Sequence, residues 1–381
     1  MNLHTVNYSQ IVNSIFGPGS SSLNSQAQSS NPVIGALAST TDFDKFRKNF
    51  IARLTRLHKS YQDHASSRAL LTQVNQVADP KNWQGAVAEL AAYDLFNSKC
   101  DFLASPPDLD VSIAVNYSLG QFFGMKEANL DIHFSDFDVY TDVKVLKDNV
   151  SEILDGIKRQ VLQNYRPLVI FEYPRDIGYE LLQNKRQQIL QIFGNALGDG
   201  KRPVEIDFTQ AVPGLIARLN WNQGMVMAES SYSPFRHAEE LHNLSFIHAK
   251  KFVISRPFIL TFVVFPWFNG VIQDFCQANM TFYRAFARRV FCQYRADPTA
   301  FSSLMPSFCG SQSISEVSKY LGGIFFVEDH TIEGDDPSDT NAKGFYFENP
   351  NAIMRPSEGL MDIYLRQIAT STYDDCRHDN Y

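Results

Sequence analysis

Residues Leu130 to Leu146 read LDIHFSDFDVYTDVKVL, and the alternation within that stretch decides the fold. Side chains of a β-strand point to opposite faces in turn. Over Phe137 to Leu146, Val139, Thr141, Val143 and Val145 take one face, which reads as the core side. Asp138, Tyr140, Asp142 and Lys144 take the other. A first strand, Leu130 to Phe134, precedes it, and a hairpin through Ser135-Asp136 brings Asp131 beside Asp142, eleven positions downstream.

Two convergent carboxylates suit a hard, oxygen-seeking cation such as Mg²⁺, with Mn²⁺ as the natural substitute. The carbonyl of Val143 is expected to point to the same place. A lysine beside such a site can orient or deprotonate a water and offset charge on a phosphoryl transition state. The candidate metal ligands are therefore Asp131, Asp142 and the Val143 carbonyl, with Lys144 beside them.

Upstream, Trp83 to Ser98 is predicted as a helix. Within it, Gly85-Ala86-Val87-Ala88-Glu89-Leu90-Ala91-Ala92-Tyr93 is apolar and small enough to pack closely on a sheet. The neighbours of Glu89 on its own face are Gly85, Ala86, Ala92 and Tyr93. A carboxylate there is costly to bury without a cation or a donor.

A helix glutamate followed by D-x10-D-x-K across two strands resembles the PD-(D/E)xK, or restriction-endonuclease-like, nuclease superfamily. The resemblance runs from about Trp83 to Tyr173. Leu130 stands where the nominal motif has Pro. Gln160 and Tyr165 are five apart, so the QxxxY element of the exonuclease-type branch is absent. What the resemblance implies is a restriction-endonuclease-like core and Mg²⁺-dependent endonucleolytic cleavage of DNA. In it Glu89 would be the helix acid, Asp131 and Asp142 the metal ligands, and Lys144 the catalytic lysine. A restriction or defence role would rest on analogy alone.

Outward from this segment, helices are expected near Asp42 to Ser60, Ser66 to Val77, Ser151 to Asn164, Ile272 to Tyr294 and Ser357 to Ile368. Strands are expected near Leu168 to Tyr173 and Gly323 to Val327, and an acidic loop over Glu328 to Asp339. The grammar of basic helix then apolar strand occurs twice, in Ile153 to Tyr173 and in Leu241 to Phe265. Either copy could complete the core. Alternating helices and strands predict an α/β fold, a mixed central sheet flanked by helices with additional helical and C-terminal elements. Four regions follow: an N-terminal segment and Ser/Gly/Asn/Gln-rich flexible linker (1–41), a helical region (42–82), the nuclease-like core with an insertion (83–270), and a C-terminal helical region with an acidic tail (271–381).

The formal charge is −7 over 381 residues. Between Glu328 and Tyr381 lie 12 acidic and 4 basic residues, leaving 30 basic and 29 acidic over the other 327. A near-neutral body can still present a basic groove, so the total excludes no nucleic-acid partner. Candidate DNA contacts are Lys158 and Arg159, Lys250 and Lys251, and Arg284, Arg288 and Arg289 on a helix with Tyr283 and Phe286. The helix from Asp42 presents Lys45, Arg47, Lys48, Arg53, Arg56 and Lys59 as a solvated face. Five scattered cysteines without a CxxC pair indicate no disulfide scaffold and fit a reducing cytoplasm. No signal peptide is read at the N-terminus, and the longest apolar stretch, Pro257 to Phe268, is too short to span a bilayer. His237, His242 and His248 are read as surface or satisfied core residues. DNA is the expected partner, a homo-oligomer is left open, and no membrane is expected. The competing reading is a catalytically inactive nucleic-acid-binding or assembly module of the same fold.

Overall fold

The computed structural model describes residues 7–22, 31–39, 42–98, 105–147, 149–174, 177, 179–221, 234–266, 278–356 and 374–375. The chain divides into two compact units. The first combines Met1–Leu146, Pro234–Trp267 and Ile272–Tyr381; the second combines Lys147–Ser233 and Phe268–Val271. Among the described residues no helix is long and apolar enough to cross a membrane.

The first unit is built on a mixed sheet. Strands β1 (Asp108–Ala114), β2 (Glu127–Phe134) and β3 (Val139–Val145) form an antiparallel meander. The insertion follows, with its strands β4 (Leu168–Glu172), β5 (Glu205–Asp207) and β6 (Ile216–Asn220). The main sheet then continues with β7 (Phe258–Val264), β8 (Gly323–Asp329), β9 (Ala342–Glu348) and the two-residue β10 (Asp374–Asp375), in the order β1-β2-β3-β7-β8-β9-β10. β7 pairs in parallel with both β3 and β8. All seven residues of β7 and of β8 are buried, the signature of parallel strands covered on both faces.

Helices α1 (Tyr8–Phe16), α2 (Pro32–Ala38), α3 (Asp44–Tyr61), α4 (Ser67–Gln76) and α5 (Trp83–Ser98) precede the sheet. α5 is apolar nearly all round, with ten buried residues, as a central helix must be. Its Phe96 meets Phe134 of β2 and Phe325 of β8 at ring-centroid distances of 5.3 and 5.0 Å. The opposite face belongs to the helix Ala278–Arg288, whose Tyr283 stacks on Phe326 at 4.3 Å and whose Phe286 meets Phe262 at 5.5 Å. Tyr283 and Phe286 are thus core residues, not a stacking surface for a ligand.

The second unit packs α6 (Asn149–Tyr165) and α7 (Tyr179–Leu197) on one face of the antiparallel sheet β4-β6-β5. β4 alternates exposed and buried positions. Its inward Phe171 joins Phe193 and Phe208, while Leu168 and Ile170 point outward.

Several expectations are corrected. The flexible linker of 17–41 contains helix α2, because Pro32-Val33-Ile34-Gly35-Ala36-Leu37-Ala38 carries enough apolar surface to dock Val33, Ile34 and Leu37, and Asn31 caps it. Residues 23–30 and 40–41 of that stretch lie outside the described residues, as does the expected helix from Ser357. The C-terminal region supplies two strands, β8 and β9, to the main sheet; the start of the expected acidic loop is the buried end of β8. Of the two helix–strand copies, the second provides β7 beside β3, and the first builds the separate unit, so the core is discontinuous in sequence. Arg53 does not lie on a solvated face. It is 1% exposed, with Nη2 3.1 Å from Asp329 Oδ1 and Nε 3.4 Å from Asp94 Oδ2, tying α3 to β8 and α5.

Candidate metal centre

β2 and β3 pair from Phe134↔Val139 through Ile132↔Thr141, and the ladder then ends. The next opposed residues are Asp131 and Asp142. The Val143 N–H instead donates to the Asp131 side chain, Oδ2 at 2.6 Å. β3 meanwhile stays registered with β7, Asp142 opposite Leu260 and Lys144 opposite Phe262. The strands therefore part where the two carboxylates begin.

Asp142 is fully buried, and among the described residues no backbone N–H or hydroxyl donates to either of its carboxylate oxygens. Cations compensate it: Lys144 Nζ lies 2.7 Å from Oδ2, and Lys251 Nζ lies 3.9 Å from Oδ1. The Lys144 ammonium also lies 3.3 Å from Asp131 Oδ2 and donates to the Val143 carbonyl at 2.8 Å. One positive charge thus touches all three oxygens read from the sequence as metal ligands.

Glu89 accepts a hydrogen bond from the Tyr93 hydroxyl one turn later, at 2.9 Å. Burial, and next the charge of Asp131, push its carboxyl up to about 8. Burial and the facing Asp142 carboxylate push Asp131 up to about 7, against the opposing pull of Lys144 and the Val143 N–H. Burial disfavours the charge on Lys144, but Asp142 and Asp131 outweigh it and hold the proton firmly. Three acids crowd two ammonium groups here, and the crowding is relieved by two of the acids holding their protons more tightly than a free carboxyl does.

The donor set fits a hard divalent cation. It consists of carboxylate and carbonyl oxygens, and the Asp142 carboxylate is fully buried with ammonium groups and Asp131 beside it. Among the described residues no group of three His, Cys, Asp or Glu side chains forms a metal site, so the set rests on Asp131, Asp142 and the Val143 carbonyl.

The structure brings Glu89, Asp131, Asp142, Val143 and Lys144 together. Of the residues proposed to meet DNA, Lys251 joins them and Lys250 adjoins it in sequence. His248, previously assigned to surface or core, is held near 3 by burial and then by Lys144 and Lys250, and so belongs to the surroundings of the site. His242 is a satisfied residue, with Nε2 2.9 Å from the Tyr294 hydroxyl and Nδ1 2.7 Å from the Glu239 carbonyl. Arg284 and Arg288 lie on the helix Ala278–Arg288 of the same unit, and Arg289 just beyond it has Nη1 3.7 Å from Glu239 Oε1. Lys158 and Arg159 lie in the second unit, where both reach Asp155. Two participants escaped the sequence reading, the Tyr93 hydroxyl and the pairing of Lys251 with Asp142. The first had a visible signal, the i, i+4 spacing from Glu89. The second had none, because Lys251 arrives from more than a hundred residues away.

With this geometry in view, comparison against protein-family models, curated proteins and solved structures gives no match in any of the three.

Proposed function

We propose that this chain is a metal-dependent DNA endonuclease of the PD-(D/E)xK type, using Mg²⁺ or Mn²⁺. One observation supports the reading: the buried Asp142 carboxylate shares a single cation with Asp131 and the Val143 carbonyl. Burying a charge in this way is costly, and structural needs alone are met more cheaply by apolar residues.

Asp131, Asp142 and the Val143 carbonyl would hold the metal. When bound, it polarises a phosphoryl oxygen and lowers the pKa of a coordinated water. Lys144, its proton firmly held, acts by charge and not as a base, offsetting negative charge as it grows on the phosphoryl oxygens. In the metal-free site burial and Asp131 keep the proton on Glu89 near neutrality, and a carboxyl so placed is suited to proton transfer at the reacting oxygens. Tyr93 fixes the orientation of Glu89. Lys251 reduces the repulsion that Asp142 offers to an incoming phosphate.

The test is conversion of supercoiled plasmid to nicked and linear forms with Mg²⁺, with Mn²⁺ and with EDTA. Cleavage in both metals and none in EDTA is expected. A second reading, an inactive nucleic-acid-binding module, draws on the fact that Lys144 already neutralises the three oxygens by itself. DNA binding without cleavage in either metal would favour it.

A further inference from the structure

Asp142 and Lys144 share their face of β3 with Tyr140, two residues earlier. Tyr140 borders a cleft of about 280 Å³ together with Tyr117, Asp138, Val253 and Arg256. Its ring is held from behind by the cross-strand residue His133, stacked at 4.2 Å and 14°. The two nitrogens of His133 lie 3.4 Å from Asp108 Oδ2 and 3.4 Å from Asp138 Oδ1, which fixes the imidazole. Asp138 also grips Arg256 through Nε, and the Ser255 carbonyl accepts from Arg256 Nη1 at 2.8 Å. Among the described residues nothing engages Arg256 Nη2. Tyr117, half exposed, adds a second aromatic ring.

This cleft has one braced aromatic ring and a second, half-exposed one, a spare guanidinium donor and a carboxylate that cancels the guanidinium charge. A phosphate would find little net attraction there. A neutral, planar, hydrogen-bonding heterocycle fits, because every base offers a π-face for stacking and edge acceptors for a guanidinium. The two residue steps from Tyr140 to Asp142 span about 6.6 Å, or roughly two stacked nucleotide steps of about 3.4 Å. Resting on the nuclease reading above, we propose that the Tyr117–Tyr140–Arg256 cleft is a nucleobase pocket. It takes an unstacked base one or two nucleotides from the phosphate at the acidic site.

The experiment is fluorescence anisotropy in EDTA with a short labelled single strand, in which one abasic position is moved along the sequence. The matching duplex is run in parallel. Wild-type protein should lose about tenfold or more in affinity at one or two abasic positions, the scale of one stacked base. Tyr117→Ala, at a half-exposed position, and Tyr140→Leu, which keeps apolar bulk, should each bind the intact strand about tenfold more weakly. Both should then be indifferent to the abasic positions, at an unchanged melting temperature. A flat abasic scan on wild type, or variants that still discriminate, overturns the pocket. If the duplex binds while the scan is flat, the nuclease reading stands alone. If neither DNA binds, that reading fails and takes the pocket with it.

Discussion

Two places in this molecule set an acid beside a base on neighbouring strand positions, and they could hardly be treated more differently. Asp142 and Lys144 on β3 lie 2.7 Å apart, with the carboxylate wholly buried. Glu172 of β4 and Arg218 of β6 lie 3.1 Å apart with side chains 48% and 60% exposed. The difference follows from the sheets. β3 runs beside β7, a strand buried along its whole length, and Asp142 in the middle of β3 is taken out of water. β4 belongs to a one-sided antiparallel sheet whose outer face stays solvated. The exposed pair costs little and contributes little; the buried pair costs several kcal/mol unless it is compensated, of the order found for buried ions. Charge retained under that penalty points to chemistry.

The largest effect is expected from Asp142→Ala. It removes one of two carboxylate ligands, so Mn²⁺ binding measured by calorimetry should disappear and plasmid nicking should fall to background. Retained Mn²⁺ affinity would place the cation elsewhere and end the metal-site proposal.

Lys144→Ala should come next, and it has two opposed consequences. Cleavage should fall by about 10²-fold or more, the scale of a lost charge-stabilising group. Mn²⁺ should bind more tightly than to wild type, because the ammonium no longer competes for the same three oxygens. The sequence suggests that the strand tolerates this change freely, with Lys144 facing away from the core. The structure corrects that, since Lys144 is the nearest compensating charge for buried Asp142. Metal-free stability should drop by on the order of 3 kcal/mol, with saturating Mg²⁺ restoring most of it. Equal cleavage by variant and wild type would remove Lys144 from the reaction.

A third effect is pH-dependent and comes from Glu89. Its folded carboxyl, held near 8, lies above the unfolded value of about 4.3. Between those values the folded state keeps a proton that the unfolded chain has lost, so raising the pH costs stability. Glu89→Gln copies the protonated form and carries no such cost. Without metal, its unfolding free energy relative to wild type should be constant below about pH 4, rise through neutral pH and level off above about pH 8, a change on the order of a few kcal/mol in all. A constant difference across that range would mean that Glu89 is ionised throughout.

Much of this was legible in local sequence. The alternation of DVYTDVKV, the turn before it and the apolar helix around Glu89 are patterns a few residues long, and each sufficed to place its side chains. What escaped depends on distant partners. ILDGIKRQVLQNYRPLVIFEY and LHNLSFIHAKKFVISRPFILTFVVF share one grammar, and nothing within either says which strand will lie beside β3. In hindsight the signal is the unbroken run FILTFVV against the shorter, charge-ended LVIFE, because a strand covered on both faces cannot alternate. Arg53 escaped for a similar reason. On its own helix it belongs to a basic face, and only Asp94 and Asp329, 41 and 276 residues away, make its burial tolerable.

The smallest effect belongs to the exposed pair and is the control on which the comparison rests. Glu172→Ala removes a carboxylate with the same kind of partner as Asp142, at nearly the same separation. Arg218 Nε, however, also lies 3.9 Å from Glu205 Oε2, so its charge keeps a neighbour. Water solvates whatever is left, and no buried group is orphaned. The change should cost under about 1 kcal/mol in urea unfolding and leave Mn²⁺ affinity and nicking rate at wild-type levels. The small stability loss should shrink further at high salt, because solvent-exposed charges are screened. A loss as large as that from Lys144→Ala would show that exposure is the wrong variable, and that buried charge in β3 is no guide to function.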